Sequence, residues 1–371
     1  MTVQEPKVAP PVGTPPAGGG APLGAKPTMT PALHHPIRGW LSPTNIGALY
    51  VLIAICIIFS ILAPSTFPTV ATVKQVLDNN AITALAALCI IIPLSAATFD
   101  LSFAYTMSLS GVTAAHLVVS NHMNVWLAMV LAIGVALVIG LINGFVIVVM
   151  HVDSFIGTLG TGFLVQAFIT LVTGDNPIVS TQLNGAFTTL SQGTIGGFVY
   201  AVYWALGLAI LLWVFMEYSA TGRRLYATGF NIEAARLAGV RVDRLRFGAL
   251  MASAGLAGFA GVMLASSLSS GGPTAGTSYL LPAFAAAFVG AIQFKRDRFN
   301  SWGTIVAVVM LGTGGVGLGL VSSAAWPADM FTGTVLVVAL AATGLQQRNL
   351  LRGRGGAIGS LLRRRKPAAA G

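Results

Sequence analysis

From Ile46 onward the chain alternates long apolar runs with short polar breaks. A membrane-crossing helix needs about 20 mainly apolar residues, and fewer where it is broken or packed inside a bundle. Ten intervals qualify: 46–63, 80–98, 101–120, 124–150, 155–174, 197–216, 247–268, 279–294, 302–322 and 329–346. The fourth is long enough to tilt. The second and third nearly abut at Phe99-Asp100, which points to a break inside the membrane rather than a full loop. The expected fold is an all-α polytopic membrane protein of about ten transmembrane helices, some broken.

Small residues inside these runs predict how the helices pack. Gly255, Gly258 and Gly261 recur every third residue and make a smooth stripe with Ala252, the mark of a packing seam. Gly140 and Gly144 form a GxxxG face around Asn143. Five glycines crowd Gly312-Thr313-Gly314-Gly315-Val316-Gly317-Leu318-Gly319, so unwinding or very close packing is expected there.

Composition agrees and removes rivals. The 371 residues are 55% hydrophobic and 8% charged, against about 25% charged in a typical soluble domain. Residues 1–40 form a Pro/Gly-rich tail expected to be disordered, with nine of the eighteen prolines before position 39. That tail lacks the apolar core of a signal peptide. Residues 41–346 make the membrane domain, and 347–371 a basic tail. Cys56 and Cys89 fall inside apolar runs, and the five histidines show no metal or relay spacing. No catalytic cluster or nucleotide-binding fingerprint emerges.

The net charge of +10 is explained by where the cations lie. With a cytoplasmic N-terminus and ten spans, nineteen of the twenty Lys and Arg fall on the cytoplasmic side, and Lys74 alone falls outside. Such a distribution follows the positive-inside rule. It places both termini in the cytoplasm and turns the basic face toward membrane lipid rather than nucleic acid.

The polar interval 217–246 is the longest between the first span and the basic tail. Within it, Thr221–Arg246 holds six Lys/Arg and two carboxylates. Asn231 is a good N-cap, Glu233 sits near the positive end of a helix dipole, and Gly239 suits a left-handed C′ position. These signals predict a helix of about two turns, too short to be stable alone, which therefore needs a groove.

Gly229-Phe230-Asn231-Ile232-Glu233-Ala234-Ala235-Arg236-Leu237-Ala238-Gly239-Val240, preceded by Thr221-Gly222-Arg223 and Tyr226-Ala227, resembles the cytoplasmic coupling loop of ABC-importer permeases of the ribose/xylose type. The resemblance covers roughly residues 45–345 and is strongest at 221–261. It implies an inner-membrane permease whose short helix docks in a separate ATP-binding subunit through Gly229, Asn231, Glu233, Ala234, Ala235, Arg236, Leu237 and Gly239. It implies a second permease chain, identical or not, and a soluble substrate-binding protein outside. No cofactor is expected on this chain, with ATP-Mg on the partner subunit.

Asp100 and Ser102 match the family's Asp-Leu-Ser element, though Ala96-Ala97-Thr98-Phe99 replaces its glycines. By resemblance they belong to a broken helix near the substrate pathway; equally, Asp100 caps the third helix near the cytoplasmic face. Asn143 serves a sugar hydroxyl or, favoured by its GxxxG face, a neighbouring helix. Gly314 and Gly315 complete the pathway candidates. After the eighth span the family continues with a glycine-rich segment, whereas this chain reads Gln293-Phe294-Lys295-Arg296-Asp297-Arg298-Phe299-Asn300 before a familiar Trp302-Gly303-Thr304. The rival reading is a secondary transporter driven by an ion gradient. It would need buried carboxylates, for which Asp100 is the one good candidate.

Overall fold

The computed structural model describes residues 47–293, 298–322, 324 and 326–341. Both tails, and Lys295-Arg296 of the basic break, lie outside the described residues. The helices are α1 (Gly47–Leu62), α2 (Val70–Ser95), α3 (Phe103–Val119), α4 (Val125–Gly144), α5 (Ser154–Thr173), α6 (Ala186–Gln192), α7 (Tyr200–Tyr218), α8 (Ala220–Phe230), α9 (Ile232–Leu237), α10 (Val242–Leu268), α11 (Leu280–Ala291), α12 (Ser301–Val321) and α13 (Trp326–Ala341). A π-turn, Phe145–Val149, continues α4. Four two-residue strands form two short antiparallel pairs: β1 (Ile178–Val179) with β4 (Ser270–Gly271), and β2 (Thr194–Ile195) with β3 (Phe198–Val199).

Among the described residues, six helices are long and apolar enough to cross a membrane: α2, α4 with its π-turn, α5, α7, α10 and α12. Shorter apolar helices occupy 47–62, 103–119, 277–291 and 326–341. The chain is a multi-pass helical membrane protein. Two intervals need correction. The second apolar segment begins at Val70 rather than 80, because Thr69 caps it by accepting from Thr72 N. Lys74 and Asp78 had hidden that first amphipathic stretch. The polar interval 217–246 carries two helices rather than one, with α8 preceding the anticipated α9.

Burial sorts the helices by their sequences. Leu85 through Ile91 of α2 are each 0% exposed, as expected of a helix that is apolar all round and enclosed by others. Packed against it, α10 meets α3 and α4 along the small-residue stripe: a Cβ at Gly261 would fall on the Met107 carbonyl of α3, and one at Gly258 on Ala136 of α4. Ser110 Oγ donates to the Gly258 carbonyl at 2.8 Å across this seam. Gly140 and Gly144 approach Ala254 and Phe247 of α10. The stripe is therefore a packing seam, and the glycine run of α12 is likewise packed rather than unwound. Asn80, Phe331 and Phe59 fill the notches at Gly312, Gly314 and Gly317.

The breaks gather at two ends. At one, Phe99 N donates to Ser154 Oγ, Arg246 Nε to Thr98 Oγ1, and Tyr226 Oη to the Phe299 carbonyl. At the other, β1 pairs with β4, Thr188 and Ser269 share a hydroxyl contact, and Val199 N donates to Asp78. Lys74 lies against Gly197 at this second end, while Arg246 and Arg298 belong to the first.

Candidate functional site

The arginine-bearing end is built on α8 and α9. Ser219 Oγ accepts from Gly222 N and starts α8. Its buried side, Gly222, Leu225, Tyr226 and Thr228, follows helical spacing and turns inward. Asn231 then starts α9, its Oδ1 accepting from Ala234 N at 3.0 Å. Gly239, at φ +80°, ends it: Gly239 N donates to the Arg236 carbonyl and Val240 N to that of Ala235. This is a complete Schellman turn.

Ala235 alone of α9 is buried, against its own chain. Glu233, Ala234 and Leu237 face outward. Leu237 is 91% exposed, an apolar side chain set on an otherwise charged end. Arg236 is tied back within the chain, to Asp243 at 3.0 Å and Glu233 at 3.6 Å. Beneath them a cavity of about 260 Å³ is lined by His151, Asp153, Arg236, Asp243 and Arg246, with Ile147 and Val148 of the π-turn behind.

Gly229 links this surface to the turn between α2 and α3, since a Cβ there would fall on the Ser95 carbonyl. Within that turn Asp100 and Ser102 are 0% exposed. Asp100 Oδ1 accepts from Ser102 N at 3.0 Å and from Ser102 Oγ at 2.7 Å. Asn143 Nδ2 donates to Ser102 Oγ at 2.6 Å, and Thr161 Oγ1 donates to Asn143 Oδ1 at 2.5 Å. The donors point one way, from α5 through α4 to the carboxylate. Ser253 Oγ of α10 and Asp100 Oδ2 are buried and lack a partner in hydrogen-bonding geometry. Thr158 Oγ1 accepts from Leu101 N at 3.0 Å.

Asp100, Ser102 and Asn143 thus form one connected group, in which Asp100 holds Ser102 just before α3 and Asn143 joins that turn to α5. Gly314 and Gly315 stand apart on α12, the first against Phe331 and the second with open space where a Cβ would stand. The hydroxyls of Ser154, Thr158, Thr161 and Ser253 escaped the sequence reading. Three of them were on view all the same: Ser154, Thr158 and Thr161 follow i, i+4, i+7 along one face of α5. Tyr226 and Arg298 were also missed. Burial pushes the Tyr226 phenol above its ordinary value, Glu217 adds to this, and Arg298 opposes it. The group stays a neutral hydrogen-bond donor.

The helical bundle defines a multi-pass membrane protein, and comparison with known proteins gives its family. A family model described as "Branched-chain amino acid transport system / permease component" matches residues 73–340. The chain belongs to this family. The ribose import permease protein RbsC of Bacillus subtilis (strain 168) is 30% identical over 296 residues, covering 80% of this chain and 91% of that protein. Its counterpart in Escherichia coli (strain K12) is 28% identical over 307 residues, 82% of this chain and 94% of its own length. The galactose/methyl galactoside import permease protein MglC of Escherichia coli (strain K12) is 26% identical over 327 residues, with 83% and 97% covered.

Proposed function

We propose that the chain is the permease subunit of an ATP-binding cassette importer that carries a monosaccharide across the inner membrane. ATP is hydrolysed on a separate subunit, and a soluble binding protein delivers the sugar from outside. Ten helices span the membrane, and both termini lie in the cytoplasm with the α8–α9 end. The observation that carries this reading is α9 itself: a capped two-turn helix presenting Glu233, Ala234 and a 91% exposed Leu237. Family membership and the sugar permeases among its relatives support the substrate class.

Docking of α9 in a groove of the ATPase would bury Leu237, and movement of that groove would carry α8 with it. Asp100, Ser102 and Asn143 stand behind α8, where they hold the α2–α3 turn. In this reading they position the pathway; Gly314 and Gly315 would border it on α12, beside Phe331.

The test is co-purification of the permease with its ATP-binding subunit, comparing wild type with Glu233→Lys combined with Gly239→Pro. The double variant is expected to insert normally and to lose the ATPase. Equal recovery of the ATPase would refute α9 docking. Uptake that follows an ion gradient without ATP would instead favour a secondary transporter using Asp100.

A further inference from the structure

Arg298 and Phe299, which lead into α12, reach across to α8. Here the chain reads Arg298-Phe299-Asn300. The Arg298 guanidinium carbon lies 4.7 Å from the centre of the Tyr226 ring and 5.6 Å from that of Phe230, both on α8. Tyr226 Oη donates to the Phe299 carbonyl at 2.9 Å. A planar cation over two aromatic faces, with a hydrogen bond beside it, is a two-point grip.

What Arg298 is attached to matters as much as what it grips. Asn300 Nδ2 donates to the carbonyls of Gly290, Gln293 and Arg298, and its Oδ1 accepts from Gly303 N at 2.7 Å. One side chain therefore knits the end of α11, the break and the start of α12 into a single corner. Gly290 and Gly303 pack backbone to backbone there, leaving no room for a Cβ on either. From the corner an aromatic row runs inward. Phe299 meets Phe288 at 5.6 Å, Phe288 meets Phe284 at 6.2 Å, and Phe284 meets Phe103 at 6.0 Å beside the α2–α3 turn.

We propose that Arg298 is a positioning residue for coupling: its grip on Tyr226 and Phe230 ties α8 to the α11–α12 corner. The corner then follows α8 when the ATPase moves it. Without that grip α8 would still pack on α2, α7 and α10, but the Tyr226 hydrogen bond to the Phe299 carbonyl would be left to hold it to the corner. The inference rests on the proposed function for its consequence, but the grip itself is testable on the permease alone.

The first measurement is backbone hydrogen exchange of the full permease in lipid nanodiscs, wild type against Arg298→Ala and Arg298→Lys. Arg298→Ala is expected to speed exchange in α8 by about tenfold while leaving α2 and α10 unchanged. Arg298→Lys, which keeps the charge but not the planar stack, should fall between. The second measurement is sugar accumulated per ATP hydrolysed in the complete assembly at matched ATPase rate. A fall of several-fold in Arg298→Ala, partly restored by Lys, is expected; a general loss of folding would lower both quantities and leave their ratio alone. Unchanged exchange in α8, or an unchanged ratio, overturns the proposal. A wild-type assembly that hydrolyses no ATP would overturn the importer reading instead, and the exchange measurement would still decide for or against the grip.

Discussion

Helix α9 and the α2–α3 turn are both polar features at the same end of the bundle, yet they are held in opposite ways. Every bond that shapes α9 is local: Asn231 to Ala234, Gly239 to Arg236, Val240 to Ala235. It carries its own start and stop, and it turns most of its side chains to the outside. The 96–102 turn is fastened from a distance, by Ser154 and Thr158 of α5, Asn143 of α4 and Arg246 of α10. Nothing of Asp100 or Ser102 reaches solvent. An element held locally can move as a unit when a partner takes it. An element held by several helices reports their relative positions and shifts only when they do.

The largest effect should follow from cutting the distant kind of bond. Ser102→Ala removes the hydroxyl that joins the Asp100 carboxylate to the Asn143 amide. It leaves Nδ2 of a fully buried amide without an acceptor and the carboxylate with one donor fewer. A loss of about 2 kcal/mol is expected, because stranded buried polar groups bear their full desolvation cost. Denaturant titration of the purified permease in detergent checks it. A midpoint equal to wild type would mean that the turn is not held by this network.

The contrast also explains what was legible in the sequence. Asn231 and Gly239 announced α9 because capping chemistry lies within a few residues of the helix it ends. The glycine seam at 255–261 was legible for a similar reason, since spacing along one helix reveals a smooth face. Helix α8 was not, because Thr221, Gly222, Arg223 and Arg224 give it a loop-like polar start. Its inward face, Gly222, Leu225 and Tyr226 at i, i+3, i+4, was nevertheless present. The long-range ties of the turn were beyond reach for a physical reason. Thr98 and Arg246 are far apart in sequence, and nothing local pairs them until the fold brings α10 beside the turn.

A smaller effect is expected from a cut in the local kind of bond. Gly239→Ala forces a Cβ into a backbone at φ +80°, at a cost of about 1 kcal/mol. Because Ala235 is the sole buried side chain of α9, that cost should fray α9 without lowering the stability of the bundle. Recovery of the ATP-binding subunit should fall several-fold while the denaturation midpoint stays put. A midpoint that dropped with it would show that α9 is part of the folded core after all.

The smallest structural effect belongs to the ion pair that ties α9 to α10, the helix whose Arg246 also fastens the turn, and it is the most informative for that reason. Arg236 reaches from α9 to Asp243 on α10, with side chains 46% and 57% exposed. Exposed pairs of this sort contribute roughly 0–1 kcal/mol, less in salt. Asp243→Asn should therefore leave the midpoint within ~0.5 kcal/mol of wild type, and thermal unfolding at low and high salt would check it. The same substitution frees Arg236 to turn outward beside Leu237. If ATPase recovery rises while stability holds, Asp243 restrains the docking face. If neither changes, the pair is surface decoration, and the face of α9 that matters is Glu233, Ala234 and Leu237.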